Sequence, residues 1–108
     1  MAEIKLVVIY PRPTDVERFE HVYVTEHVPL AKEKIKGVTK FVATKAVGTP
    51  DGQPVPFYRI AELYFPSIEA LKEAAASAGG QEAVAHAISI STGGPPIILI
   101  AEEESVDF

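Results

Sequence analysis

The chain has 108 residues, near the size at which a single hydrophobic core can hold a fold, so one domain spanning residues 1–108 is expected. Its hydrophobic content of 47% is ordinary for a globular protein, and no apolar run approaches the roughly 20 residues that cross a bilayer, which argues against a membrane protein. A net charge of −5 without an extended basic cluster argues against nucleic acid as a partner, and the absence of cysteine excludes disulfides, thiol nucleophiles and thiolate metal sites and fits a cytoplasmic setting.

In chain order, Glu3 to Tyr10 is rich in β-branched residues. Ile4, Leu6, Val8 and Tyr10 alternate with Val7 and Ile9, so the segment reads as a strand apolar on both faces rather than as the core of a leader peptide. Pro11-Arg12-Pro13 ends it. Thr14-Asp15-Val16-Glu17 has the pattern of a capping box, with Thr14 capping the next helix and Glu17 reaching back. That helix should carry Val16, Phe19, Tyr23 and His27 on one stripe, with Glu17, Arg18, His21 and Thr25 towards water. Pro29 has no N–H and disfavours α geometry at Val28, so a break or kink is expected beside His27, followed by a further helical turn from Leu30 to Lys36 and a cap at Gly37.

Val38 to Val47 and Phe57 to Phe65 read as two strands joined by a long turn-rich connection, residues 48–56. Ser67 should cap a helix running to Ser77, with Ile68, Leu71, Ala74, Ala75 and Ala78 apolar and Gly79-Gly80 as its stop. Gln81 to about Ile90 suits a short helix, residues 93–96 a loop, and Ile97 to Glu102 the last strand. The order β-α-β-β-α-β predicts an α+β, ferredoxin-like fold in which a four-stranded antiparallel sheet carries both helices on one face. The other face would be bare, yet Tyr58, Ile60 and Tyr64 alternate with Phe57, Ala61, Leu63 and Phe65. A second copy of the chain is the expected cover, because a symmetric patch is complementary to itself.

The spacing Phe19-x-x-x-Tyr23-x-x-x-His27-x-Pro29-Leu30, then Gly37-Val38, Ile60-Ala61-Glu62-Leu63-Tyr64-Phe65-x-Ser67-x-Glu69-Ala70-Leu71 and Gly94-x-x-Ile97, resembles the EthD family, named for a protein linked to ethyl tert-butyl ether degradation. The resemblance covers nearly the whole chain. It implies a dimeric α+β barrel, two ferredoxin-like protomers whose sheets meet, each with a cleft between sheet and helices. Relatives on that fold include monooxygenases, muconolactone isomerases and polyketide cyclases, and the fold does not choose among these chemistries. The chain departs from the pattern at Tyr23, where many members carry tryptophan, and at His86, where relatives often carry aspartate.

His27 and Tyr23 are the candidate catalytic residues, and Tyr10, Phe19, Phe41 and His86 the candidate ligand contacts, for a small hydrophobic or aromatic molecule. An imidazole in an apolar cleft, with an unperturbed pKa near neutrality and phenols nearby, is suited to acid/base work; the alternative is that His27 merely ties down carbonyls freed at the helix end. His86 is read equally as a cleft residue and as a surface one, His21 as solvated, and Glu62 and Arg59 as members of salt bridges. Three classes follow: an oxygenase, isomerase or cyclase that needs no cofactor; a dimer that binds a ligand or supports another enzyme without turnover; and, least favoured, a haem protein with His86 as axial ligand. No metal and no cofactor are expected.

Overall fold

The computed structural model describes residues 3–108. Its elements run β1 (Glu3–Pro11), α1 (Val16–Val22), a π-helical turn (Tyr23–His27), α2 (Val28–Lys34), β2 (Lys40–Lys45), β3 (Phe57–Phe65), α3 (Ile68–Ala76), α4 (Ala78–Ile90) and β4 (Ile97–Glu103). The strands form one antiparallel sheet in the order β2-β3-β1-β4, the ferredoxin-like arrangement, with β1 and β3 in the middle. The register pairs Leu6 with Leu63 and Ile100, and Val8 with Ala61 and Ile98. One face therefore carries Ile4, Leu6, Val8 and Tyr10 beside Ala61, Leu63 and Phe65, and these pack with Phe19, Tyr23, Leu71, Ala74 and Ala87 of the helical layer.

Several local expectations are corrected. Asp15, not Thr14, caps α1, its carboxylate accepting from the Arg18 N–H, so no capping box through Glu17 forms. The irregularity expected beside His27 is there, as the π-helical turn, but Pro29 does not break the helix, and Val28 stays helical at φ −60° and ψ −46°. The chain widens instead: the Val28 N–H bonds the Tyr23 carbonyl, one residue further back than in an α-helix. A π-turn accommodates a proline because it relieves the clash of the ring with the carbonyl four residues earlier. The expected cap at Gly37 is displaced to Ile35, whose N–H bonds the Ala31 carbonyl, while Gly37 takes a left-handed φ of 86° in the turn towards β2.

Gly79 and Gly80 do not stop a helix but begin one. Ser77 ends α3, and its hydroxyl then accepts from the Gly80 N–H to cap α4. The glycines are there for packing, since a Cβ on Gly80 would lie 2.0 Å from the Ala74 carbonyl oxygen. β2 is shorter than the run Val38 to Val47 suggests, although single backbone bonds from Thr39 and Ala46 to β3 continue its pairing beyond either end.

Candidate functional site

Phe19, Tyr23 and His27 do form one stripe, and all three side chains are buried. Phe19 and Tyr23 stack with ring centroids 5.6 Å apart, and Tyr23 and His27 at 5.7 Å, while Tyr10 from β1 meets all three rings edge-on. The π-turn determines where this row ends. It places the His27 ring over Tyr10, whose Oη lies 3.1 Å from His27 Nε2. On the opposite side His27 Nδ1 lies 2.9 Å from Nδ1 of His86, on α4, with the two rings nearly parallel. Both ring nitrogens of His27 are thus engaged with side chains, and the ring caps no helix-end carbonyl. The reading of His27 as a fastener for freed carbonyls is overturned.

The expectation of a near-neutral imidazole is also corrected. Burial, with a smaller contribution from His86, lowers the His27 pKa from 6.5 to about 4. Burial drives Tyr10 well above the ordinary phenol value, helped by Tyr23, and pushes Tyr23 up to about 12. At neutral pH the His27 ring is therefore neutral and both phenols are protonated.

Tyr10 and His27 border a small chamber of about 30 Å³ between sheet and helices, lined otherwise by apolar residues including Leu6, Val8, Ala61 and Ala87. Four of its walls, Ala31, Ile35, Phe41 and Leu63, also line an open groove of about 560 Å³, which continues past Val28 and Val38. Lys32 and Lys36 stand on the groove's rim, and no carboxylate lines it. A second cleft, of about 430 Å³, opens on the other side of the helical layer, where His86 and Ser89 of α4 face Asp15, Arg18, Phe19 and Glu26.

The candidate residues therefore sort by position. Tyr10, His27 and Phe41 meet at the inner chamber, whereas Phe19 and His86 line the outer cleft. Tyr23 borders neither space: its hydroxyl is buried without a hydrogen-bond partner among the described residues, and it is the ring that touches His27. His21 is exposed. Arg59 pairs with Glu20, and Lys5 with Glu62 and Glu103, as expected of strand charges. The contact of His86 with His27 was not foreseen. Its one available signal was the small pair Ala83 and Ala87 on α4, both buried, which lets that helix come close.

The sequence model of the EthD domain matches residues 11–87. An uncharacterized 11.0 kDa protein from the thcB-thcC intergenic region of Rhodococcus erythropolis is 34% identical over 99 residues, covering 92% of this chain and 94% of its own. The crystal structure of an ethyl tert-butyl ether d (EthD) family protein from Bacillus halodurans superposes with a TM-score of 0.86 at 30% identity, covering 94% of this chain and 99% of the other. A dimeric ferredoxin-like protein of unknown function from Jannaschia sp. shares the fold, with a TM-score of 0.62 at 16% identity over 97% of this chain and 100% of the other. With the EthD model matching residues 11–87 and the Rhodococcus and Bacillus relatives aligned nearly end to end, the chain belongs to the EthD family.

Proposed function

We propose that this EthD protein is a homodimer that binds a small apolar or aromatic molecule bearing an acidic group, and that Tyr10 and His27 exchange a proton with the ligand's inner end. The observation carrying this reading is the shared wall between groove and chamber, with the hydrogen-bonded Tyr10 and His27 lining the chamber. The groove is of the size that takes a small ligand, and the chamber alone holds no more than a water or two. The ligand's body lies against Leu63, Phe41 and Ile35, and its reactive group enters where Ile35 and Phe41 give way. Lys32 and Lys36 on the rim favour an anionic substituent at the outer end. The chemistry this supports is proton removal and return at carbon or oxygen, as an isomerisation or cyclisation requires.

A titration with 2-naphthoate followed by NMR tests the pocket. The resonances of Ala31, Ile35, Phe41 and Leu63 should shift together, and 2-naphthol, which lacks the carboxylate, should bind several-fold more weakly at low salt. Shifts confined to the outer face of the sheet, or no saturable shift, would exclude the groove as the site. The low basicity of His27 favours one second reading, a dimer that holds the same class of ligand without turning it over. Recovery of every bound ligand chemically unchanged would support that reading.

The outer sheet face supports the homodimer. Val7, Ile9, Val42, Ile60, Ile97 and Leu99 share that face, with Glu62 standing between Val7 and Val42 and hydrogen-bonded to Lys5, which joins Tyr64 and Glu103 towards one end. Leu99 is 48% exposed and Ile97 42% exposed in the single chain. The apolar patch that Val7, Ile9, Ile60, Ile97 and Leu99 make is stabilised by covering it, and a twofold copy covers it with the same residues.

A further inference from the structure

We infer that Tyr10, His27 and His86 form a proton relay linking the inner chamber to the outer cleft, with His86 as its solvent-side member. The inference takes its proton source from the pocket reading above, but its geometry stands apart from it. Three polar side chains from three elements, β1, the π-turn and α4, lie in line at successive separations of 3.1 and 2.9 Å across an otherwise apolar layer.

Counting donors assigns the direction. Tyr10 is fully buried, and His27 Nε2 is its hydroxyl's only hydrogen-bond partner among the described residues. If Nε2 carried the hydrogen, the phenol proton would be stranded in apolar surroundings. Tyr10 therefore donates to Nε2, which leaves His27 with its hydrogen on Nδ1. Nδ1–H in turn donates to Nδ1 of His86, so the remaining His86 hydrogen sits on Nε2, on the ring that lines the outer cleft. Every polar hydrogen of the chain of three then has an acceptor or solvent.

This arrangement moves a proton without placing charge on His27. When a ligand O–H or activated C–H gives its proton to Tyr10 Oη, the Tyr10 proton passes to His27 Nε2. The His27 Nδ1 proton passes to His86 Nδ1, and the His86 Nε2 proton leaves to water in the cleft. One ligand bond to hydrogen breaks, one proton appears in solvent, and each side chain ends neutral with its tautomer exchanged. Return of a proton from Tyr10 to the product runs the shifts backwards and restores the starting state. Burial disfavours an imidazolium at His27, which makes a concerted shift the accessible route and a lone general base an inefficient one. The charged groups facing His86 across the cleft are Asp15, Arg18 and Glu26, so the exit end is polar where the entry end is apolar.

Imidazole nitrogen NMR on histidine-labelled wild-type protein at neutral pH reads the relay directly. The expected pattern is Nδ1–H for His27 and Nε2–H for His86, and His27 carrying its hydrogen on Nε2 would overturn the proposal. In His86→Phe, which keeps an aromatic ring but removes both nitrogens, exchange of the His27 ring proton with water should slow at least tenfold. An unchanged rate in a folded variant would equally overturn it. If that variant does not fold, the wild-type tautomers decide alone. Titrating wild-type protein with 2-naphthoate separates the two ideas: binding in the groove with the wrong tautomers sinks the relay only, and the expected tautomers with no binding sink the pocket reading only.

Discussion

The Arg59 guanidinium lies over the face of Tyr23, 4.9 Å from its centroid, while two of its nitrogens fork onto the carboxylate of Glu20. Arg59 is 8% exposed, so its charge is tolerated in the core only because Glu20 neutralises it and the Tyr23 ring cushions it. This pair fixes α1 against β3 at the start of the aromatic row.

Glu20→Gln should therefore destabilise the protein by about 2 to 3 kcal/mol, because it leaves a buried guanidinium without its counter-charge. A urea midpoint shift at constant slope measures this. Burial opposes ionisation of Glu20, but hydrogen bonds from Arg59 and Lys45 prevail and hold its pKa below the usual 4.5. A carboxyl whose folded pKa is depressed stabilises above its unfolded pKa and loses that contribution as pH falls through the folded value. The wild-type excess over Glu20→Gln should accordingly shrink below pH 4.5.

His27 titrates in a different window. Its folded pKa of about 4 lies below its ordinary 6.5, so between these values the unfolded chain binds the extra proton. Stability should be unaffected by this group above about pH 7 and fall as pH drops from 6.5 to 4, by on the order of 3 kcal/mol in total. His27→Gln should flatten that slope. Denaturant midpoints at pH 7.5, 6, 5 and about 4 give the comparison, and equal slopes in the two proteins would show that the ring is not held neutral.

The two tyrosines beside His27 should respond oppositely to loss of a hydroxyl. Tyr10→Phe leaves His27 Nε2 without its partner in a buried site and should cost about 1 to 2 kcal/mol. Tyr23→Phe removes a hydroxyl that is buried without a protein partner, so its thermal midpoint should be unchanged or raised. Equal destabilisation by both would mean that Tyr23 has a polar contact the geometry does not show.

Association should fail when charge is placed on the outer sheet face. Leu99→Glu puts a carboxylate opposite Val7, on the edge strand that flanks the apolar patch. Sedimentation equilibrium should give twice 11.7 kDa for wild type and 11.7 kDa for the variant, with unchanged far-ultraviolet circular dichroism. A wild-type monomer at micromolar concentration would rule the dimer out.

The fold was legible because each strand announces itself by alternation and the core face of β1 can be read directly from Ile4, Leu6, Val8 and Tyr10. The aromatic row was legible for the same reason, at helical period. Pro29 signals the irregularity beside His27 but not its form, because steric rules for single residues describe an α-helix and the chain answers with a wider turn that keeps Val28 helical. Gly79 and Gly80 misled because low helix propensity is local, whereas the need for close approach to Ala74 is a tertiary demand. The pairing of His27 with His86 spans 59 positions and depends on how α4 lies on its neighbours, which no spacing rule encodes. His27's lowered basicity follows from that same enclosure and was equally out of reach.

The π-turn has a further consequence for how this region tolerates changes in length. A π-turn takes one residue more than an α-helix to complete the same rotation, so removing one from it lets the turn close as an ordinary helix with the residues that follow kept in phase. Deleting exposed Val24 would let the segment rewind as an ordinary helix, with the Val28 N–H still bonded to the Tyr23 carbonyl, but it would bring Pro29 back into conflict with a carbonyl. The turn and the proline thus behave as a gear and its key. Between Phe19 and Pro29 the chain carries one residue more than an α-helix of the same rotation needs, and that surplus residue is what lets Pro29 follow His27 without a steric clash.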